Sequence, residues 1–221
     1  MKLLAKRLFN TKSFIFLRNF FNFRPIPNDI HKEYRGSISM SDAFLWRTDH
    51  SFSTIFKYSD ILKLFYKDKN SSVELLFYSK SNELLKTLII KDIDLGNELI
   101  IDKIFFDGLE DYGVFYVYHR SDLVNTEPLI ISNRCYVGFS KSNSLFSFVH
   151  GNINVRYKNL TGGNQFIDIV KTSFLSNNLY KIQNFFEEFT STELFFTNPT
   201  SKSINIKIGN DSYVLKKGCS I

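Results

Sequence analysis

From residue 36 onward, hydrophobic and polar positions alternate with a period of two along most of the chain, as strands with one buried face require. Ile204, Ile206 and Ile208 alternate with Asn205 and Lys207, and Gly-Asn-Asp-Ser at 209–212 turns the chain into Tyr213, Val214 and Leu215. This is a hairpin pattern. Ile153, Val155 and Tyr157 alternate with Asn152, Asn154, Arg156 and Lys158, and Cys135, Val137 and Phe139 share one face of another strand. Stretches 73–78, 84–90, 98–104 and 112–119 complete a central set. Leu88-Ile-Ile and Tyr112-Gly-Val-Phe-Tyr-Val-Tyr are apolar on both faces, which suits the interior of a two-layer structure.

Turn residues at 67–72, 79–82, 107–108 and 161–164 separate these strands at short intervals. The pattern predicts a mostly β protein, an antiparallel β-sandwich built as one large unit or as two small Ig-like or jelly-roll-like ones. Two helices interrupt it. Ser59-Asp60 caps a short one through Tyr66, and 165–174 carries apolar residues at 166, 167, 169, 170 and 174, a helical face.

Composition supports sheet only together with this alternation. The chain of 221 residues holds 24 phenylalanines, 11 tyrosines and one tryptophan, and its only alanines are Ala5 and Ala43. A low-GC genome gives the same bias, but it does not give a period of two. Residues 29–221 form the body, and the segment around Pro128, 124–129, is the candidate internal boundary.

Charge is unevenly placed. Lys2, Lys6, Arg7, Lys12, Arg18 and Arg24 fall within residues 1–28, where no acid occurs, so they account for the whole formal excess of +6. The body is neutral and offers no basic stripe, so nucleic acid is not an expected partner. Residues 1–28 are a basic leader or arm, of helical character, ended by Pro25-Ile-Pro27. Its uncharged run is far shorter than the roughly 20 residues a membrane span needs. An arm packed on the body, a surface-attachment helix using residues 1–24, and a targeting presequence all fit it. Two cysteines, Cys135 and Cys219, make no disulfide scaffold and read as isolated thiols of a reducing compartment. A cytoplasmic location, or one peripheral to a membrane, is expected ahead of secretion.

Catalytic motifs are lacking. The histidines His31, His50, His119 and His150 show neither His-x-His nor His-x-x-x-His spacing, so no metal is expected, and no cofactor signature occurs. Gly138-Phe-Ser140-Lys-Ser142 lacks the second glycine of a nucleophile elbow. Two patches carry recognition chemistry instead. Residues 133–152 combine Arg134, Tyr136, Asn143, His150 and Asn152 with aromatics on a hairpin, and Trp46-Arg47-Thr48-Asp49-His50 holds the only tryptophan. Sugars offer CH faces and a rim of hydroxyls, which aromatic rings, amides and guanidinium groups match.

The expected ligand-binding residues are therefore Trp46, Arg134, Tyr136, His150 and Asn152, on a non-enzymatic β-sandwich that binds a glycan or a partner protein. An enzyme on a β scaffold, carbohydrate-active or hydrolytic, is the competing reading, with its site around His119 and His150 beside Arg134 and Asp49. A self-assembling structural protein is the third. The sequence does not specify an oligomeric state.

Overall fold

The computed structural model describes residues 11–20, 36–121, 129–132, 135–142, 144, 146–150, 155–161, 166–168, 193–200 and 202–221. Within them the fold is mostly β. The strands are β1 (Ile38–Ser41), β2 (Phe44–Arg47), β3 (Phe52–Tyr58), β4 (Ser72–Ser79), β5 (Leu84–Lys91), β6 (Asn97–Ile101) and β7 (Tyr112–Arg120). They continue with β8 (Ile130–Ser132), β9 (Tyr136–Lys141), β10 (Ser147–His150), β11 (Arg156–Asn159), β12 (Phe166–Asp168), β13 (Ile204–Ile208) and β14 (Asp211–Leu215). Helix α1 spans Lys12–Phe20 and α2 spans Ile61–Tyr66.

Three four-stranded sheets have the orders β2-β7-β4-β5, β10-β9-β3-β6 and β12-β11-β1-β8, and β13-β14 is a separate hairpin. Apart from the parallel β1–β8 pair, neighbours in the sheets run antiparallel. Strands from either side of residues 124–129 share sheets: β9 pairs with β3, and β8 and β11 pair with β1.

Sheet β2-β7-β4-β5 is a middle layer, because β4 and β7 are buried on both faces. One face sets Trp46, Leu75, Phe77, Phe115 and Val117 against Phe56, Tyr58, Ile101, Cys135 and Val137 of the β10-β9-β3-β6 sheet and its flank. The other sets Leu76, Val114, Tyr116 and Tyr118 against Val155 at the start of β11. The two-faced apolar run at 112–118 thus has a layer on each side, rather than the single opposing layer its pattern suggests. The run at 88–90 belongs to edge strand β5, where Leu88 and Ile90 pack inward but Ile89 is exposed.

Aromatic rings fill the first interface. Phe115 lies 5.3 Å from Phe44, 5.0 Å from Phe56 and 5.1 Å from Phe77, within the range in which rings attract beyond their area burial. Burial pushes the Cys135 thiol in the same core up to about 12, and both cysteines are free.

The segment 37–47 changes sheets. β2 pairs with β7 only over Phe44–Arg47 against Tyr112–Phe115. Past Asp42-Ala43 the chain leaves that ladder, and β1 pairs through its backbone with β11 and β8. The N–H groups that β7 still presents on this edge are taken by serine hydroxyls. Val117 N–H donates to Ser41 Oγ at 2.8 Å, and His119 N–H donates to Ser39 Oγ at 3.0 Å. Leu129 N–H donates to Ser37 Oγ at 3.0 Å. All three serines are fully buried.

Across the second interface, the buried Lys158 of β11 donates to the buried Glu74 of β4, and its ammonium also lies 5.1 Å from the Phe166 ring centroid.

Local signals account for the rest. Asp60 caps α2 by accepting from Lys63 N–H at 2.8 Å, as its position before the apolar turn predicts. Gly209, at φ +59 in the first central position of the β13-β14 turn, takes the left-handed backbone a two-residue hairpin needs. The helix expected over 165–174 begins instead as β12, whose Phe166 pairs with Lys158. Adjacent pairing outweighs a short helical spacing there, and 169–174 lie outside the described residues. The 25–27 and 124–128 signals also lie outside them.

Removing one member of the Glu74–Lys158 pair strands a charge between layers. Glu74→Leu and Lys158→Met should each cost about 3–5 kcal/mol in urea unfolding, while the double variant recovers most of that loss. Single-variant costs below about 1 kcal/mol would show that the pair is solvated.

Candidate functional site

The end of β2, the turn after it and the start of β3 form the floor of a cavity of about 530 Å³. Arg47 closes β2. Its backbone is pinned by Thr54, whose hydroxyl accepts from Arg47 N–H at 2.9 Å and donates to Arg47 O at 3.0 Å. Thr48 Oγ1 donates to Leu109 O at 2.8 Å, fixing the next residue. A 3-10 turn, Asp49–Ser51, then reverses the chain into Phe52. His50 and Ser51 both sit in the left-handed region, at φ 49 and φ 63, a conformation that costs a side-chain-bearing residue roughly 1–2 kcal/mol. Strain of this kind persists where surrounding contacts enforce it.

The Arg47 guanidinium organises the floor. Nε donates to Asp49 Oδ1 at 2.7 Å and Nη2 to Asp49 Oδ2 at 2.9 Å, a two-pronged pair. Nη1 donates to Glu193, which reaches the cavity from a segment 146 residues away in sequence. The guanidinium carbon lies 3.7 Å from the Phe52 ring centroid. Desolvation alone would lower the Arg47 pKa, but the bonds and charges of Asp49 and Glu193 outweigh it and the net direction is up. The side chains of Arg47 and Asp49 are mostly buried, whereas 58% of Glu193's is exposed.

Aromatic side chains supply the walls. Tyr112 comes from β7, Phe139 from β9 and Phe195 from the Glu193 segment. Tyr112 and Phe195 meet edge to face at 6.2 Å. Lys80, paired with Asp111 at 2.9 Å, lies 5.3 Å from the Tyr112 ring centroid. His50 also lines the cavity, with an exposed side chain. Among the described residues, no group of three or more His, Cys, Asp and Glu side chains is arranged to hold a metal ion.

The residues expected from the sequence are distributed unevenly. Trp46 is fully buried beneath the site. Its Nε1–H donates to Tyr78 O at 2.9 Å, and its ring lies 4.3 Å from Phe106. Gly113 opposite it has no room for a Cβ, which would fall 2.1 Å from Tyr78 O. The tryptophan therefore has no ring face left for a ligand, while its neighbours Arg47, Asp49 and His50 line the cavity.

Tyr136 is 52% exposed, on the opposite face of the β10-β9-β3-β6 sheet from the core residue Val137. His150 pairs with Tyr136 through the backbone, and Arg134 and Asn152 lie outside the described residues.

Of the residues of the competing catalytic reading, Asp49 lines the cavity and Arg134 lies outside the described residues. His119 is fully buried, with Nε2 3.3 Å from Ser59 O. Ser140 is buried, its hydroxyl donating to Ser144 O at 2.6 Å. Sequence reasoning missed Glu193, Phe195 and Tyr112, which carry no motif and converge only in space. The local signal was the charged Arg47-x-Asp49 pair at a strand end.

Comparison with known proteins gave no match: no family model, no curated protein and no solved structure is significantly similar to this chain.

The floor makes a specific demand on residue 47. Arg47→Lys keeps the charge but loses the two-pronged geometry. It should lower stability by about 1–3 kcal/mol in urea unfolding, and an unchanged midpoint would show that the pairing with Asp49 contributes nothing.

Proposed function

We propose that this chain is a non-enzymatic β-sandwich binding module that takes a carbohydrate in the Arg47 cavity. One observation carries the reading: aromatic walls and a fixed cluster of carboxylates and guanidinium meet in one cavity of about 530 Å³, within the usual range for small-ligand sites. Tyr112, Phe139 and Phe195 offer ring surface to the CH faces of a sugar. Asp49 and Glu193 offer carboxylate oxygens to its hydroxyls, and His50 adds a ring nitrogen.

The same geometry argues against catalysis. Both carboxylates are bonded to one guanidinium, which engages both of them as hydrogen-bond acceptors. His119 is fully buried and is not among the residues that line the cavity.

A second reading, a protein-binding face, is favoured by the outer side of the β10-β9-β3-β6 sheet. There Tyr136, Phe148 and Ile100 are exposed, with Lys57 lying 4.8 Å from the Phe148 ring centroid.

A glycan array probed with wild type, Tyr112→Ala and Tyr136→Ala separates these sites. For a sugar bound in the cavity, Tyr112→Ala weakens binding by about tenfold or more while Tyr136→Ala leaves it unchanged. The opposite pattern would move the ligand to the outer face. A wild-type chain that binds no glycan would end the carbohydrate reading.

A further inference from the structure

The tip formed by α2 has no part in the cavity, and its construction is unusual for a surface turn. The helix is six residues long and is held from below at several points. Leu62, its only buried residue, packs with Leu129 and Ile131. Asp60 accepts from Lys63 N–H at one oxygen and from Ser71 Oγ at the other. Asp68 accepts from Asn70 N–H at 2.9 Å and from Ser121 Oγ. Lys67, at φ 56, ends the helix with its N–H on Lys63 O. From this fixed base Leu64, Phe65 and Tyr66 project into solvent, at 54%, 74% and 48% exposure.

Single exposed apolar side chains are ordinary, but three large ones in succession on a braced turn leave more apolar side chain in solvent than packing requires. The charge around them is ordered too. Lys63, Lys67 and Lys69 are exposed, while the acids of the same stretch, Asp60 and Asp68, are buried and bonded inward. The loop joined to the tip through Asp60 N–H and Asp94 O adds exposed Leu95. Its Asp92 and Asp94 offset part of the lysine charge.

We propose that the α2 tip docks the protein on an anionic membrane surface. Leu64 and Phe65 enter the boundary between headgroups and acyl chains, the Tyr66 ring sits at headgroup level, and the lysines face lipid phosphates along flexible stems. A lipid surface fits better than a protein groove because the patch is a short apolar tip ringed by lysines. Helix α1 also exposes large apolar side chains, at Phe16, Leu17 and Phe20. No helix among the described residues is long and apolar enough to cross a membrane. Stable attachment by shallow elements takes two of them, and the tip supplies one that does not depend on the leader.

Phe65→Trp in the full chain provides a reporter, since Trp46 is fully buried and its emission is a constant background. Vesicles of phosphatidylcholine with phosphatidylserine should shift the introduced indole's emission to the blue, and bromine-labelled acyl chains should quench it. Phosphatidylcholine alone should do little. Phe65→Ser should reduce flotation with the anionic vesicles about tenfold, and Lys67→Gln with Lys69→Gln should reduce it further. An indole that stays unshifted while the protein floats would overturn the proposal by assigning the contact to α1 alone. A full chain that does not float with anionic vesicles would overturn it as well, leaving the tip to a soluble partner.

Discussion

The layers depend on how the N–H groups of Val117 and His119 are satisfied. β7 lies between two other layers, so an unpaired donor on it costs roughly 1–3 kcal/mol. Its partner β2 ends its ladder at Phe115. Ser41 and Ser39 complete that edge with side-chain oxygens, which leaves the β1 backbone free to pair with β11 and β8. One segment therefore belongs to two sheets at once. A serine hydroxyl reaches a neighbouring main chain at close range, where a larger side chain would force β1 away and open the second interface. Placement of the third layer over Tyr116 and Tyr118 follows from that short reach.

Apolar contact alone would not fix where that layer sits. A β face repeats every two residues, so two apolar faces tolerate displacement along a strand. Lys158 and Glu74 remove the tolerance, because sliding either strand would leave one buried charge without its counterpart. Such a pair adds little net stability compared with apolar side chains of similar volume. Its effect is to make one alignment of β11 over β4 much better than its neighbours. Asp60 and Asp68 act similarly at smaller scale, each tying a loop to one position through both carboxylate oxygens.

These devices explain which parts of the fold the sequence disclosed. Alternation located most strands, Gly209 the last hairpin and Asp60 the start of α2, because each signal is local. Ser37, Ser39 and Ser41 alternate with Ile38 and Met40, and such a strand reads as one with a wet face. Here the polar face is buried as deeply as the apolar one, since Ser39 and Ser41 meet backbone N–H groups of a strand 76–80 residues away. Periodicity reports which side chains share a face and is silent about what lies opposite. The same limit applies to the site. Arg47, Asp49 and His50 stood out together, but the ring beside them, Trp46, points into the core where Gly113 makes room for it. Glu193 and Phe195 belong to the cavity only through the path of a distant segment.

The serine-lined strand and the cavity are two ends of one stretch of chain. Residues 37–41 are fixed between layers, residues 44–47 are held in the middle sheet, and Arg47 is clamped by Thr54 as that sheet ends. The strained turn at His50 and Ser51 follows immediately, so its geometry is enforced from a rigid side. The cavity floor is thus ordered by its own chain contacts alone. Glu193 differs in kind: it is exposed and comes from outside the three layers. A floor fixed by the middle sheet therefore meets, at Glu193, a segment tied in place by the paired backbone bonds of Phe196 and Ile221.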